Sequence, residues 1–334
     1  MIHILACGPL NTVQDLGRAG YRNIGITATG AMDPIALRVG NILVGNGEDA
    51  AAIEIQTFPF RIEFEEALTF AVTGADCAAR LNGADLPPYW CVRAEKGQTL
   101  ELSTPMKNAR AYLCLQGGVD VPVVMGSRST SLRGSFGGHE GRHLTTGDRL
   151  SVLPSEPPAL PASGLGVMPL AEAMPDMFPV SDNGELLLRA IPAAEHDLFG
   201  EGAERFWSEA WKITSQSDRT GYRLAGAPLM LSAPVELRSY GVIPGVVQVP
   251  PGGEPIIQMS DANTAGGYPK MAGIIDSDLW RLGQARIGSR IRFVQATVRE
   301  ALEVEQAIDT YFAGIRKTLP LVTAALGTFT KRQS

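Results

Sequence analysis

The sequence has little of what several protein classes require. Only four of its 334 residues are cysteine, Cys7, Cys77, Cys91 and Cys114, and none form a C-x-x-C pair. That is too sparse for a disulfide framework and points to buried free thiols in a reducing compartment. No run of lysine or arginine stands against the formal net charge of −6, so nucleic acid is not an expected partner. No window has the apolar length of a transmembrane helix. Ile4-Leu5-Ala6-Cys7 has the outline of a lipoprotein cleavage box, but no basic segment precedes it and the apolar stretch is too short. No membrane association is expected, and the protein reads as cytoplasmic. Walker A, dinucleotide and G-x-S-x-G signatures are all missing.

What is present is a long, 45% hydrophobic chain broken by 37 glycines and 23 prolines. That is ample for a core. Short apolar runs ending in Gly, Asn, Asp or Pro predict many strands with tight turns. Leu68-Thr69-Phe70-Ala71-Val72, Ala111-Tyr112-Leu113-Cys114-Leu115, Leu186-Leu187-Leu188, Val246-Val247-Gln248-Val249 and Ile256-Ile257-Gln258-Met259 are examples. Helices are fewer. One starts at Asp33, a capping residue followed by Pro34, with Ile35, Val39 and Ile42 on one face. Others begin near Ser277 and Val298. The expected class is mainly β with covering helices. A Pro/Ala-rich linker over residues 155–179 divides a first half, 1–154, from a second, 180–316, which ends in a helix; 317–334 is a tail. Gly147-Asp148-Arg149-Leu150-Ser151-Val152 and Gly288-Ser289-Arg290-Ile291-Arg292-Phe293 close the two halves alike, as two related barrel-like units would.

His139-Glu140-Gly141-Arg142-His143 matches the zinc-protease pattern H-E-x-x-H in letters only. Gly137, Gly138 and Gly141 argue against the helix that would aim both histidines at one metal, and no metal is expected. Four polar clusters in glycine-rich turns carry more promise: Gln14-Asp15-Leu16-Gly17-Arg18; Gly126-Ser127-Arg128-Ser129-Thr130 with Gly137-Gly138; Ser217-Asp218-Arg219-Thr220-Gly221-Tyr222-Arg223; and Asp261-Ala262-Asn263-Thr264-Ala265-Gly266-Gly267-Tyr268-Pro269. Glycine lets backbone N–H groups approach a ligand. Arginine matches carboxylate or phosphate oxygens, and Asp with Asn can orient an amide. The bland readings stand beside these: Asp15 and Asp218 pair with Arg18 and Arg219 in their turns, Gly266-Gly267-Tyr268-Pro269 is a tight turn, and Tyr222 packs in the core.

These clusters, in order along the chain, resemble the allophanate hydrolase subunit 2 family, which includes the C subunits of 5-oxoprolinase and KipA-like proteins. They also resemble part of the carboxyltransferase domain of urea carboxylase. The resemblance rests further on Gly30-Ala31-Met32-Asp33, Asn41-Ile42-Leu43-Val44-Gly45-Asn46, Gly117-Gly118-Val119-Asp120-Val121-Pro122 and Gln248-Val249-Pro250-Pro251-Gly252. It implies tandem cyclophilin-like β-barrel halves. It also implies an allophanate hydrolase subunit 1-like partner, similar to the B subunits of 5-oxoprolinase, and a third hydrolase subunit. The expected activity is ATP-dependent opening of the 5-oxoproline lactam to glutamate, with ATP and Mg shared with the partners. One alternative is carboxyl transfer from biotin on a separate protein to urea or another small amide. Another is a non-enzymatic regulator that binds a kinase-inhibitor-like partner. Asn263 and Ala265 depart from the family's Gln and Thr, and Pro192-Ala193-Ala194 stands where relatives often carry Gly-Pro-Gln.

Within that resemblance Asp261, Asn263 and Arg128 are the expected catalytic residues: Arg128 or Arg219 to grip an anion, Asp261 and Asn263 to orient the amide. Gln14, Arg219, Asp218, Tyr222, Gly266, Gly267 and Tyr268 are the expected substrate contacts.

Overall fold

The computed structural model describes residues 1–330, with side chains through Ala324. The chain forms two compact units that interleave in sequence. The first comprises Met1–Arg18, Thr29–Pro169 and the chain from Asp309 onward; the second comprises Ala19–Ala28 and Leu170–Ile308.

The first unit holds two six-stranded antiparallel sheets. One runs Arg149–Leu150, Ile2–Ala6, Phe60–Phe64, Thr99–Leu102, Arg80–Leu81, Ala84–Asp85. The other runs Leu165–Gly166, Trp90–Ala94, Leu68–Asp76, Lys107–Leu115, Ala52–Ile55, Thr12–Gln14. In Phe60–Phe64 burial alternates, so Phe60, Ile62 and Phe64 face the core while Arg61 is exposed. Leu68–Asp76 is instead buried on both faces almost throughout. Helix Pro34–Leu43 packs on this second sheet. It begins where the sequence places it: the Asp33 carboxylate accepts the Ala36 N–H at 2.9 Å, and Pro34 fills the first turn. Its Gly40 lets it approach closely, since a Cβ there would come within 2.5 Å of Cys114 Sγ.

The second unit contains a closed seven-stranded barrel in the order Leu186–Pro192, Lys270–Ile274, Val246–Gln248, Ile256–Gln258, Gly221–Ala225, Ala210–Ile213, Arg290–Gln295. Parallel pairing of Leu186–Ala190 with Ile291–Gln295 closes it. Trp211, Tyr222, Val247, Ile257 and Phe293 are buried, and helix Glu201–Ser208 stacks Phe206 on Phe293 at 4.2 Å between centroids. Helix Asp276–Gly283 is fixed by Asp278, fully buried and bound in a fork by Arg189 at 2.9 and 2.7 Å. A two-stranded flap, Tyr240–Gly241 with Ala265–Gly266, completes the unit. The chain is thus mainly β with covering helices; one unit closes its barrel and the other packs two sheets. The last helix, Val298–Thr330, continues well past residue 316. Among the described residues no helix is long and apolar enough to cross a membrane.

Candidate functional site

In the first unit the first two polar clusters meet. Strand Thr12–Gln14 delivers Asp15 into the turn that holds Ser127, Arg128 and Ser129. The Asp15 carboxylate accepts the Gly17 N–H at 2.7 Å, the Ser127 hydroxyl at 2.7 Å, the Ser129 hydroxyl and the Arg128 N–H. It is buried, and its acceptor capacity is filled. Arg18, 1% exposed, donates to Thr29 Oγ1 and Ser129 O, both at 2.6 Å, and lies over the Phe136 ring. In the cluster Gln14 Oε1 and Arg128 Nε are buried without a hydrogen-bond partner. The Gln14 amide nitrogen is held by Thr12 Oγ1 at 3.0 Å.

The glycine-rich 137–141 loop has a packing role. A Cβ on Gly137 would collide with Ser129 O, and one on Gly138 with the Thr130 side chain. Both glycines, with Glu140 and Gly141, have positive φ. The Gly138 N–H goes to Arg128 O at 3.0 Å and the Gly141 N–H to Gly137 O at 2.8 Å, so neither remains for an anion. His139 through His143 form turns. Asp148 sits among them, bound in a fork by Arg142 at 2.8 and 2.9 Å, with His139 Nε2 3.6 Å away. The Arg142 hydrogen bonds hold the Asp148 carboxyl down to about 2. Among the described residues no group of three or more His, Cys, Asp or Glu is placed to hold a metal ion.

In the second unit the remaining two clusters meet. Arg219 and Asp261, each expected to reach substrate separately, bind each other in a fork at 3.1 and 3.0 Å, and the Asp261 N–H donates to Arg219 O at 2.9 Å. Both side chains are largely buried, so the pair locks two turns together. Asp218 closes its own turn, accepting the Thr220 and Gly221 N–H groups at 2.8 and 3.1 Å. Tyr222 is 1% exposed and belongs to the barrel core. Asn263 is exposed, and its carbonyl accepts from Arg22 at 3.0 Å. Gly266 lies in the flap against Gln248, where a Cβ would come within 2.8 Å of the amide nitrogen. Gly267 is near Leu237 and Ser239, and Tyr268 is half exposed.

Five further residues gather around this flap. Strand register pairs Val247 with Ile257 and Gln248 with Ile256 and Lys270. Alternation therefore puts Gln248, Gln258 and Lys270 on the face opposite Val247 and Ile257. Gln258 donates to Gln248 Oε1 at 3.0 Å and Gln248 donates to Tyr268 O at 3.3 Å. Gln258 Oε1 is buried and has no partner. Lys270, 5% exposed, donates to Gly266 O at 3.4 Å and sits 3.0 Å from the centroid of the Tyr240 ring. Desolvation lowers its ammonium's pKa, against the pull of Glu195. Glu195 accepts from the Tyr240 hydroxyl at 2.6 Å and the Lys270 N–H at 3.1 Å. A buried cation beside a pair of amides with an open acceptor can bind a small molecule that carries both an anionic group and an amide N–H. Gln248 opens one sequence motif, Lys270 directly follows another and Glu195 directly follows Pro192-Ala193-Ala194, which is the available signal; Tyr240 lies in none of these stretches.

The chain belongs to the family described as carboxyltransferase domain, subdomain A and B, whose model matches residues 24–295. It is 42% identical to the C subunit of 5-oxoprolinase from Escherichia coli strain K12, over 93% of this chain and 96% of that protein. It is 39% identical to the C subunit of 5-oxoprolinase from Haemophilus influenzae, over 95% of this chain and 98% of that one. Among solved structures it is similar to the Kluyveromyces lactis urea amidolyase, with a TM-score of 0.83 at 29% identity, covering 94% of this chain and 20% of that one. The chain thus spans about a fifth of that larger protein.

Proposed function

We propose that this chain is one subunit of an ATP-dependent 5-oxoprolinase, acting in the cytoplasm with an allophanate hydrolase subunit 1-like partner and a third hydrolase subunit. The observation that carries the reading is Lys270 on the same sheet face as the Gln248–Gln258 amide pair. 5-Oxoproline presents a carboxylate and a lactam. The ammonium of Lys270 complements the carboxylate, and Gln258 Oε1 accepts the lactam N–H. Both groups are desolvated and fixed before substrate arrives, which lowers the cost of ordering the complex. Arg219 and Asp261 act by holding the turns that shape this face, and Gly266 makes room for Gln248. On the first unit, Arg128 Nε and Gln14 Oε1 are a second pair of open valences for an anion and an amide. Similarity over nearly the whole length of two 5-oxoprolinase C subunits supports the same reading.

An amide is a poor electrophile, and ATP with Mg supplies the activation by making its oxygen a leaving group. In the 137–141 loop the Gly138 N–H is taken by Arg128 O and the Gly141 N–H by Gly137 O, so neither is open to a phosphate. In this reading ATP and Mg are shared with the partner subunits. Likeness to urea amidolyase supports a second reading, biotin-dependent carboxyl transfer. The first reading is preferred because the similarity to the two 5-oxoprolinase C subunits is higher and spans nearly their whole length.

The test is glutamate release from 5-oxoproline by this chain mixed with its partner subunits. ATP-dependent release that disappears when the chain is omitted supports the proposal. No release from a verified complex overturns it; streptavidin-reactive protein in that complex would transfer weight to carboxyl transfer, and its absence to a regulatory role.

A further inference from the structure

Tyr240 is 42% exposed, yet Lys270 beneath it is 5% exposed. An exposed aromatic on a two-residue strand has little of its own to hold it over a buried cation. The holding group is Glu195, which comes from a different part of the chain, just before the short helix His196–Phe199. One oxygen of its carboxylate takes the Tyr240 hydroxyl at 2.6 Å and the other takes the backbone N–H of Lys270 at 3.1 Å. It thereby ties the flap to the first residue of the barrel strand Lys270–Ile274. The ammonium is held between the ring, 3.0 Å from its centroid, and Gly266 O at 3.4 Å. Burial and the Glu195 carboxylate both push the Tyr240 phenol upward, so it stays protonated and able to donate at neutral pH.

We propose that Glu195 is a positioning residue that clamps the Tyr240 ring over Lys270, shielding the ammonium from solvent and fixing where an anionic substrate meets it. The shielding is a property of this chain alone; its effect on substrate rests on the oxoprolinase reading. Glu195→Gln offers an acceptor to only one of its two donors, whichever way the amide turns. Tyr240→Phe keeps the ring and removes the tether. Tyr240→Ala removes the cover.

The experiment is brief acetylation of the full chain followed by peptide mass spectrometry, with Lys96, Lys107 and Lys212 as internal references. Lys270 in the wild type is expected to react slowly. Glu195→Gln and Tyr240→Phe should each raise its rate about tenfold relative to the references, the effect of losing one charge-assisted hydrogen bond, and Tyr240→Ala should raise it further. If Glu195→Gln does not fold, Tyr240→Phe carries the test. An unchanged Lys270 rate overturns the clamp, whatever the activity. In an active complex the same two variants should raise KM for 5-oxoproline about tenfold with kcat within a few-fold. Faster labelling with an unchanged KM overturns the clamp's role toward substrate. A wild-type complex with no oxoprolinase activity overturns the functional reading instead, and the labelling still decides the clamp.

Discussion

Asp15 in the first unit and Glu195 in the second are both carboxylates that tie together segments far apart in sequence, but their surroundings differ. Asp15 collects two backbone N–H groups and two hydroxyls, and in the adjoining glycine loop the Gly138 and Gly141 N–H groups are taken by Arg128 O and Gly137 O. The result is a turn cluster bound largely to itself, in which Gln14 Oε1 and Arg128 Nε are buried without a hydrogen-bond partner. Glu195 collects one hydroxyl and one N–H. Around it stand a buried ammonium covered by a ring and an amide pair with an unfilled acceptor. Polar groups that satisfy one another build structure, whereas buried groups left open are where a ligand gains most.

The largest expected effect tests the structural side of that contrast. Asp15→Ala strands two buried hydroxyls and two N–H groups and should destabilise the protein by roughly 3–5 kcal/mol, read as a lower midpoint in urea with an unchanged slope. A loss below about 1 kcal/mol would break the comparison. Next is Lys270→Met, of similar length but uncharged, which should lower kcat/KM of the reconstituted complex for 5-oxoproline by about 100-fold, near 2.7 kcal/mol, while leaving the urea midpoint nearly in place. Gln258→Leu removes the open acceptor and should cost about tenfold in kcat/KM. Its stability should hold or rise, because an unsatisfied buried oxygen goes with it.

The smallest effect is in acid. Asp148 has its pKa lowered to about 2 by Arg142. A lowered carboxylate stabilises the fold above its unfolded value, near 4, and that contribution is lost as pH falls through about 2. Asp148→Asn should therefore lower stability by about 1 kcal/mol at neutral pH and flatten the pH dependence between about 4 and 2. Denaturant midpoints at a series of pH values measure this.

Much of the fold was legible because its signals are local. Asp33-Pro34 announces a helix start through a cap and a fixed φ, and the structure places the Asp33 carboxylate on the Ala36 N–H. The apolar runs from Leu68 and Ala111 became strands because a short apolar run and the turn residues that end it lie within a few positions of one another. Glu140 and Gly141 both have positive φ, so the glycine-rich H-E-x-x-H stretch forms no helix. Function was less legible because it depends on distant partners. Arg219 and Asp261, 42 residues apart, look like two ligand-gripping groups in sequence and turn out to grip each other. Tyr222 sits in a motif with polar neighbours, yet strand alternation turns it into the core. Glu195 reaches Lys270 across 75 residues and Tyr240 across 45, and no local pattern encodes either meeting. The family resemblance bridged part of this gap by grouping the motifs, without saying which side chains remain open.

The most direct measurement is a comparison of wild type and Lys270→Met in the assembled complex: ATP-dependent glutamate release from 5-oxoproline, with folding verified by urea midpoint. If Lys270 meets the substrate carboxylate, the variant folds and its release falls about 100-fold in kcat/KM. A folded variant with wild-type release would contradict that role and remove Lys270 from the site.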